Sequence, residues 1–132
     1  ENIKMDGGLK FDSVKKVSED YYRTMKRGLL QVGDILINKD GANTGKVGFY
    51  DKAYFKVASI NEHLFLLRSL PALNARYLYY FLLSGAGQHQ IKDCITGSAQ
   101  PGLNSTFINK VKLSLPPLRE QQKISEILGS VD

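Results

Sequence analysis

Ile124, Ile127, Leu128 and Val131 fall at positions i, i+3, i+4 and i+7 of a stretch that holds no proline and follows directly on Pro116-Pro117. That spacing lines up four apolar side chains on one stripe of a helix and on no single face of a strand. The chain must therefore close on an amphipathic helix from Leu118 to Val131. Glu120 lies in its first turn, where a negative charge suits the helix dipole. The stripe is still running at Asp132 with no closing cap. The expectation is a helix that continues further, or one that packs through Ile124, Ile127, Leu128 and Val131 on a second domain or subunit. The alternative is that the stripe folds back on this domain's own core. The boundary is placed at 117/118, with a domain over 1–117 and this helix over 118–132. Glu1 in place of an initiating Met fits a processed or trimmed piece.

Upstream of that helix the punctuation divides the chain in two. Residues 1–30 are charge-rich with scattered apolar positions, and Gly7-Gly8 marks a turn. Ile35-Leu36-Ile37 is a short apolar run suited to a buried strand, and Lys46 to Tyr50 resumes with Val47 and Phe49 alternating. The glycine-rich Gly41–Gly45 segment between them reads as the connecting loop. Ala53–Ala58 and Leu64–Leu67 are further strand candidates. After Pro71 the pattern turns helical. Asn74 is a good N-cap for a breaker-free, mostly buried helix over Ala75–Ser84. Gly85 and Gly87 interrupt it, and Gln88–Cys94 follows as a short helix. Gly97–Gly102 is a loop, Thr106–Asn109 one helical turn, and Val111, Leu113 and Leu115 alternate with Lys112 and Ser114 as in a half-buried strand. The fold class is α+β: a twisted, mainly antiparallel sheet region, helices in the C-terminal half, and a terminal amphipathic helix.

With 132 residues, 42% of them hydrophobic, the chain is long enough for one domain with one core. The lone cysteine, Cys94, has no internal partner for a disulfide, and no signal-like start is present, which points to a reducing, cytoplasmic setting. The longest strongly apolar run, Tyr77–Leu83, is far short of the roughly 18 residues of a membrane span. The net charge of +5 raises the expectation of a polyanionic partner. It is spread thinly, without a basic tail, so charge alone fits a merely soluble basic domain equally well.

Several catalytic motifs can be turned down. Gly41-Ala-Asn-Thr-Gly45-Lys46-Val47 has one residue too few between its glycines for a phosphate-binding loop. Val47 stands where a Ser or Thr must reach the metal, and a strand follows where a helix is required. Gly85-Ala-Gly87 lacks the strand that precedes a dinucleotide fingerprint. His63, His89 and Cys94 match no zinc-ligand spacing. Asp34, Asp40, Asp51 and Glu62 do not assemble into an acid–base pair by spacing. Leu115-Pro-Pro-Leu118 lacks the polar and aromatic flanks that amino-methyltransferases use. No metal or cofactor is expected, and no catalytic role.

Two segments carry a family resemblance. One is Gly97-Ser-Ala-Gln100-Pro-Gly102-Leu-Asn104 followed by Val111-Lys-Leu-Ser-Leu-Pro116-Pro117-Leu118-Arg-Glu120-Gln121-Gln122-Lys-Ile124. The other is Gly33-Asp34-Ile-Leu-Ile-Asn-Lys-Asp-Gly41 with Gly45 after it. In order and spacing they resemble the specificity subunits of type I restriction-modification systems, over roughly residues 29–132. The resemblance implies a non-catalytic target-recognition domain that binds double-stranded DNA, partial over 1–117, with the start of the family's conserved spacer helix over 118–132. A modification subunit would then methylate adenine and a restriction subunit would cut. On that reading Lys39, Thr44 and Lys46, with backbone amides near Gly41 and Gly45, are candidates for phosphate anchoring. Asn43, Gln100 and Asn104 have bidentate chemistry for adenine, and Arg68 for guanine. Each has a plainer role as well: Asn43 in satisfying a turn, Gln100 in a structural corner. An interaction module that never reads bases, pairing of two copies through terminal helices, and one domain of a fused restriction-methylation enzyme remain alternatives.

Overall fold

The computed structural model describes residues 29–52, 63–97 and 99–130; the expected turn at Gly7-Gly8, the expected strand Ala53–Ala58 and Val131 lie outside the described residues. Three strands, β1 (Ile35–Asn38), β2 (Val47–Phe49) and β3 (Leu64–Leu67), form an antiparallel sheet in the order β2-β1-β3. The register decides which side chains share a face. Ile35 lies opposite Phe49 and Leu67, and Ile37 opposite Val47 and Phe65. Directly opposed residues project to the same side of a sheet. These six therefore make one apolar face, with Ile35 and Ile37 wholly buried at its centre.

Helix α1 (Ala75–Leu83) and helix α2 (Gly85–Asp93) cover that face through Leu78, Tyr79, Leu82 and Ile91. Phe49 and Tyr79 stack with ring centroids 5.0 Å apart. The expected cap is present: the Asn74 side chain accepts from the Tyr77 amide at 2.9 Å. Ser84 both ends α1 and caps α2, its Oγ accepting from the Gly87 amide at 3.2 Å, so the second helix begins without a linker. A 3-10 helix over Ser105–Asn109 drives Phe107 into the core, and helix α3 (Leu118–Gly129) follows the two prolines. No described helix is long and apolar enough to cross a membrane. The α+β class, the antiparallel sheet and the helical C-terminal half agree with the sequence.

Residues 111–115 depart from the expectation: they are not a strand. Val111 and Leu113 are half-buried and Lys112 and Ser114 exposed, so the alternation is genuine over 111–114, but it fails at Leu115, which is 58% exposed. What is missing is a ladder. Instead the Gln90 side chain acts as the neighbouring strand, its Oε1 accepting from the Lys112 amide at 2.7 Å and its Nε2 donating to the Lys112 carbonyl at 2.8 Å. Alternation reports an environment that differs on two sides, and an amide side chain satisfies the backbone there as a strand would.

Candidate nucleic-acid interface

The loop between β1 and β2 has two glycines at positive φ, Gly41 and Gly45, and the second sets its junction with the sheet. Asn38 faces two residues of the opposite strand: the Gly45 amide donates to its carbonyl at 2.9 Å, and its own amide donates to the Lys46 carbonyl at 3.0 Å. Two residues opposing one is a β-bulge, here of the kind whose first residue needs positive φ, and Gly45 supplies it at +88°. The loop is pulled tight by the Thr44 amide on the Gly41 carbonyl and the Lys46 amide on the Asn43 carbonyl. Beneath it, Gln88 Nε2 donates to the Gly45 carbonyl at 3.4 Å and to the Leu82 carbonyl at 2.7 Å.

The second glycine-bearing segment closes on itself. Thr96 and Gly102 exchange both backbone hydrogen bonds, at 3.0 and 2.9 Å, and Gly97 turns the chain with φ +89°. A β-carbon at Gly97 would stand 2.5 Å from the Gln100 carbonyl oxygen, so the glycine at position 97 is a steric requirement of this closed loop.

These two loops, remote in sequence, meet. The Gly41 amide donates to the Pro101 carbonyl at 3.0 Å and the Leu103 amide to the Lys39 carbonyl at 2.7 Å. Thr44 Oγ1 donates to the Gly41 carbonyl at 2.5 Å and lies 3.3 Å from that of Pro101. Buried Leu103 and Phe107 hold the junction to the core, and Phe107 packs on the Phe65 ring with centroids 5.4 Å apart. Lys39, Asn43, Thr44, Lys46, Gln100 and Asn104 thus belong to one latched pair of loops at one end of the sheet.

Their individual settings differ. Asn43 and Gln100 are exposed. Lys46 is half-buried, and the Lys39 ammonium rests over the Phe65 ring at 4.7 Å, which holds a flexible side chain at the loop base. Thr44 is the latch rather than an open hydroxyl. Asn104 caps the 3-10 helix, its Oδ1 accepting from the Thr106 amide at 2.9 Å and from the Thr106 hydroxyl. Two residues turned down by spacing as metal or acid–base groups meet at this end: His63 Nδ1 lies 3.1 Å from the exposed Asp40 carboxylate, and the His63 carbonyl accepts from the Lys39 amide. Only the β1/β3 register brings them to the loop.

Arg68 is elsewhere. It follows β3 at the end opposite His63, five residues or about 17 Å of extended chain away. Its Nε and Nη2 each lie 2.8 Å from the two carboxylate oxygens of Asp34, and Nη2 also reaches the Leu29 carbonyl at 3.2 Å. The hydrogen bond to Asp34 holds the guanidinium pKa above its ordinary value. The structure does not bring this fork to the loops.

Helix α3 has an unusual inside. Its buried residues are Gln121 and Ser125, while Ile124, Ile127 and Leu128 are 39%, 60% and 43% exposed. Among the described residues no three His, Cys, Asp or Glu side chains converge as a metal-holding group.

Against known proteins, the family described as the type I restriction modification DNA specificity domain matches residues 1–132. The chain is similar to the "Type I restriction enzyme MjaVIII specificity subunit" of Methanocaldococcus jannaschii, 25% identical over 131 residues, covering 96% of this chain and 30% of that protein. It is also similar to the "Putative type I restriction enzyme MjaX specificity subunit" of the same organism, 34% identical over 108 residues, covering 78% of this chain and 25% of that protein. It spans less than a third of the length of either relative. With the motifs at Gly33-Asp34, Gly97–Gln100 and Pro116–Ile124 inside the matched region, the chain belongs to the type I restriction modification DNA specificity domain family.

Proposed function

We propose that this domain recognises a short stretch of duplex DNA as part of a type I specificity subunit, and that it selects the site at which a modification subunit methylates adenine and a restriction subunit cuts, without itself being a catalyst. The observation that carries the reading is the latching of the 39–46 and 96–104 loops into one body. That body presents exposed amide side chains, Asn43 and Gln100, beside two lysines. Amides can pair with adenine edges and lysines with phosphates. In this reading Lys39 and Lys46 anchor phosphates, Asn43 and Gln100 are the base-reading candidates, and Thr44 and Asn104 hold the loops in shape. Arg68 is left out, because its fork is closed on Asp34.

Selection from random duplexes, with and without a modification subunit, tests the role, and enrichment of a short half-site is expected. Lys46→Ala is expected to weaken binding to every sequence alike and to shallow the slope of log K against log salt by about 1. If Lys39 and Lys46 are both removed and the slope does not change, the phosphate assignment is wrong. Assembly with the modification subunit that persists without sequence enrichment would favour the interaction-module reading.

The exposure of Ile124, Ile127 and Leu128 supports a second assignment, α3 as the beginning of a spacer helix whose stripe, extended to Val131, packs on a helix of a second recognition domain or subunit. Ile127→Asp is then expected to change the stability of the isolated chain by no more than about 0.5 kcal/mol, as surface substitutions do. It should abolish association through that helix, read by analytical ultracentrifugation. A large fall in melting temperature would place Ile127 in this domain's own core.

A further inference from the structure

Helix α3 touches the body of the domain along a line of three residues one turn apart. Gln121 meets the entrance of α1, Ser125 Oγ lies 3.2 Å from Asn74 Oδ1, and Gly129 comes so close to α1 that a β-carbon on it would stand 3.1 Å from the Tyr80 hydroxyl. None of the three is apolar in the sense that holds most helices to a core. At 100° per residue, the stripe of Ile124, Ile127 and Leu128 lies about 100° around the helix axis from that line. The helix therefore sits on its domain by its polar edge and keeps its apolar edge turned sideways.

Gln121 is the centre of this contact. It has no exposed surface, and its amide oxygen and both of its N–H groups are hydrogen-bonded. Oε1 accepts from the Asn74 amide at 2.7 Å. Nε2 donates to the Pro116 carbonyl at 2.8 Å and to the Ala72 carbonyl at 3.1 Å. One planar group thus ties together the N-cap of α1, the turn before it and the proline that launches α3. The cap residue is itself fixed, since Asn74 Oδ1 accepts from the Tyr77 amide and Tyr77 Oη donates to the Ser114 carbonyl at 2.8 Å. An apolar face can be satisfied at several angles and registers, because area burial is non-directional. Three hydrogen bonds from one amide are satisfied at a single orientation, and each broken one leaves a buried group without a partner.

We propose that Gln121 is a positioning residue: its buried amide fixes the direction in which α3 leaves the domain, and so where the stripe of Ile124, Ile127 and Leu128 is presented. The adhesion it provides is secondary to the angle it sets. This role does not depend on the domain's reading of DNA.

The test is pulsed dipolar EPR on the full chain, with labels at Lys92→Cys on α2 and Glu126→Cys on α3 in a Cys94→Ala background. With Gln121 intact, one narrow distance distribution is expected. Gln121→Leu keeps the volume and removes all three bonds, and should broaden the distribution about twofold or more while the circular dichroism of the folded chain is kept. Gln121→Glu should broaden it likewise, because a carboxylate accepts from Asn74 but cannot donate to Ala72 and Pro116. Ser125→Ala, which leaves the amide in place, should keep it narrow. A residue that matters only for cohesion would lower the melting temperature and leave the distance narrow in both Gln121 variants, and that result overturns the proposal. Should neither variant fold, hydrogen exchange in the unaltered chain decides: the Asn74 amide is expected to exchange only with global opening, and free exchange there overturns the proposal equally.

Discussion

Arg68→Met is expected to lower the unfolding free energy by about 3 kcal/mol, the lower end of the range for stripping one partner from a buried ion pair. The reasoning starts from register. Ile35 lies opposite Leu67 on β3 and opposite Phe49 on β2, so the residue before β1, Asp34, falls between Arg68 and Tyr50. The Tyr50 amide donates to the Asp34 carbonyl at 2.9 Å, and the Asp34 carboxylate accepts from the Gln31 amide at 2.7 Å and from both arms of Arg68. Asp34 is 1% exposed, whereas the Arg68 side chain is 46% exposed. The cost of losing Arg68 is therefore a carboxylate left in the interior with one donor. The partly wet guanidinium keeps that cost at the low end. For a chain of this size the loss corresponds to a fall in melting temperature of about 10 °C. Arg68→Lys keeps the charge but not the fork and should fall between. The hydrogen bond to Asp34 raises the arginine's pKa, so across neutral pH the arginine's own titration causes no change in stability, and its contribution fades through that titration only above its ordinary range. Measured well below the melting temperature, DNA affinity of Arg68→Met should equal that of the unaltered chain. A sequence-dependent loss at one base of the site, with stability intact, would return Arg68 to the role of guanine reader.

The same pair shows where sequence reading stops. Gly33-Asp34 is legible as a turn before an apolar strand, and so is the strand. That Asp34 is the most buried charge among the described residues follows only from the β1/β3 register, which sets it against a residue 34 positions later. Both glycine loops are likewise visible as loops, while their junction is a tertiary event between Lys39–Thr44 and Pro101–Leu103. The terminal helix was legible in type and starting point, although it spans Leu118–Gly129 with a cap at Ser130 rather than running to Val131, and it hides its inside. The open stripe agrees with the expectation of a partner beyond this domain, but nothing in the spacing marks Gln121 and Ser125 as the buried face. Periodicity ranks faces by polarity. It carries no information about a carbonyl or a cap elsewhere in the fold that demands an amide.

Gly87→Ala is expected to destabilise the domain by about 3 kcal/mol, although glycine to alanine inside a helix ordinarily gains up to about 1 kcal/mol. The inversion comes from the junction at Ser84. Because α2 starts the moment α1 ends, the chain doubles back so sharply that a methyl on Gly87 would collide with the Phe81 carbonyl and lie 2.8 Å from the Leu82 Cα. Both obstacles are backbone, so no rotamer change relieves them, and the helices must part. Gly85 is the internal control, with nothing within 4 Å of a β-carbon there, and Gly85→Ala should be neutral or slightly stabilising. Parting the helices reaches beyond the core. Helix α2 carries Ile91, whose Cγ2 would stand 3.0 Å from a Gly45 β-carbon, and Gln88, which holds the Gly45 carbonyl, and Gln90, which brackets Lys112. A shift of α2 away from α1 therefore loosens the floor of the 41–46 loop and the segment that leads to α3 together. Urea unfolding of the two alanine variants separates the cases. Opposite signs two residues apart locate the constraint at the α1/α2 contact, whereas equal midpoints would mean that the contact yields and accommodates the methyl without parting the helices.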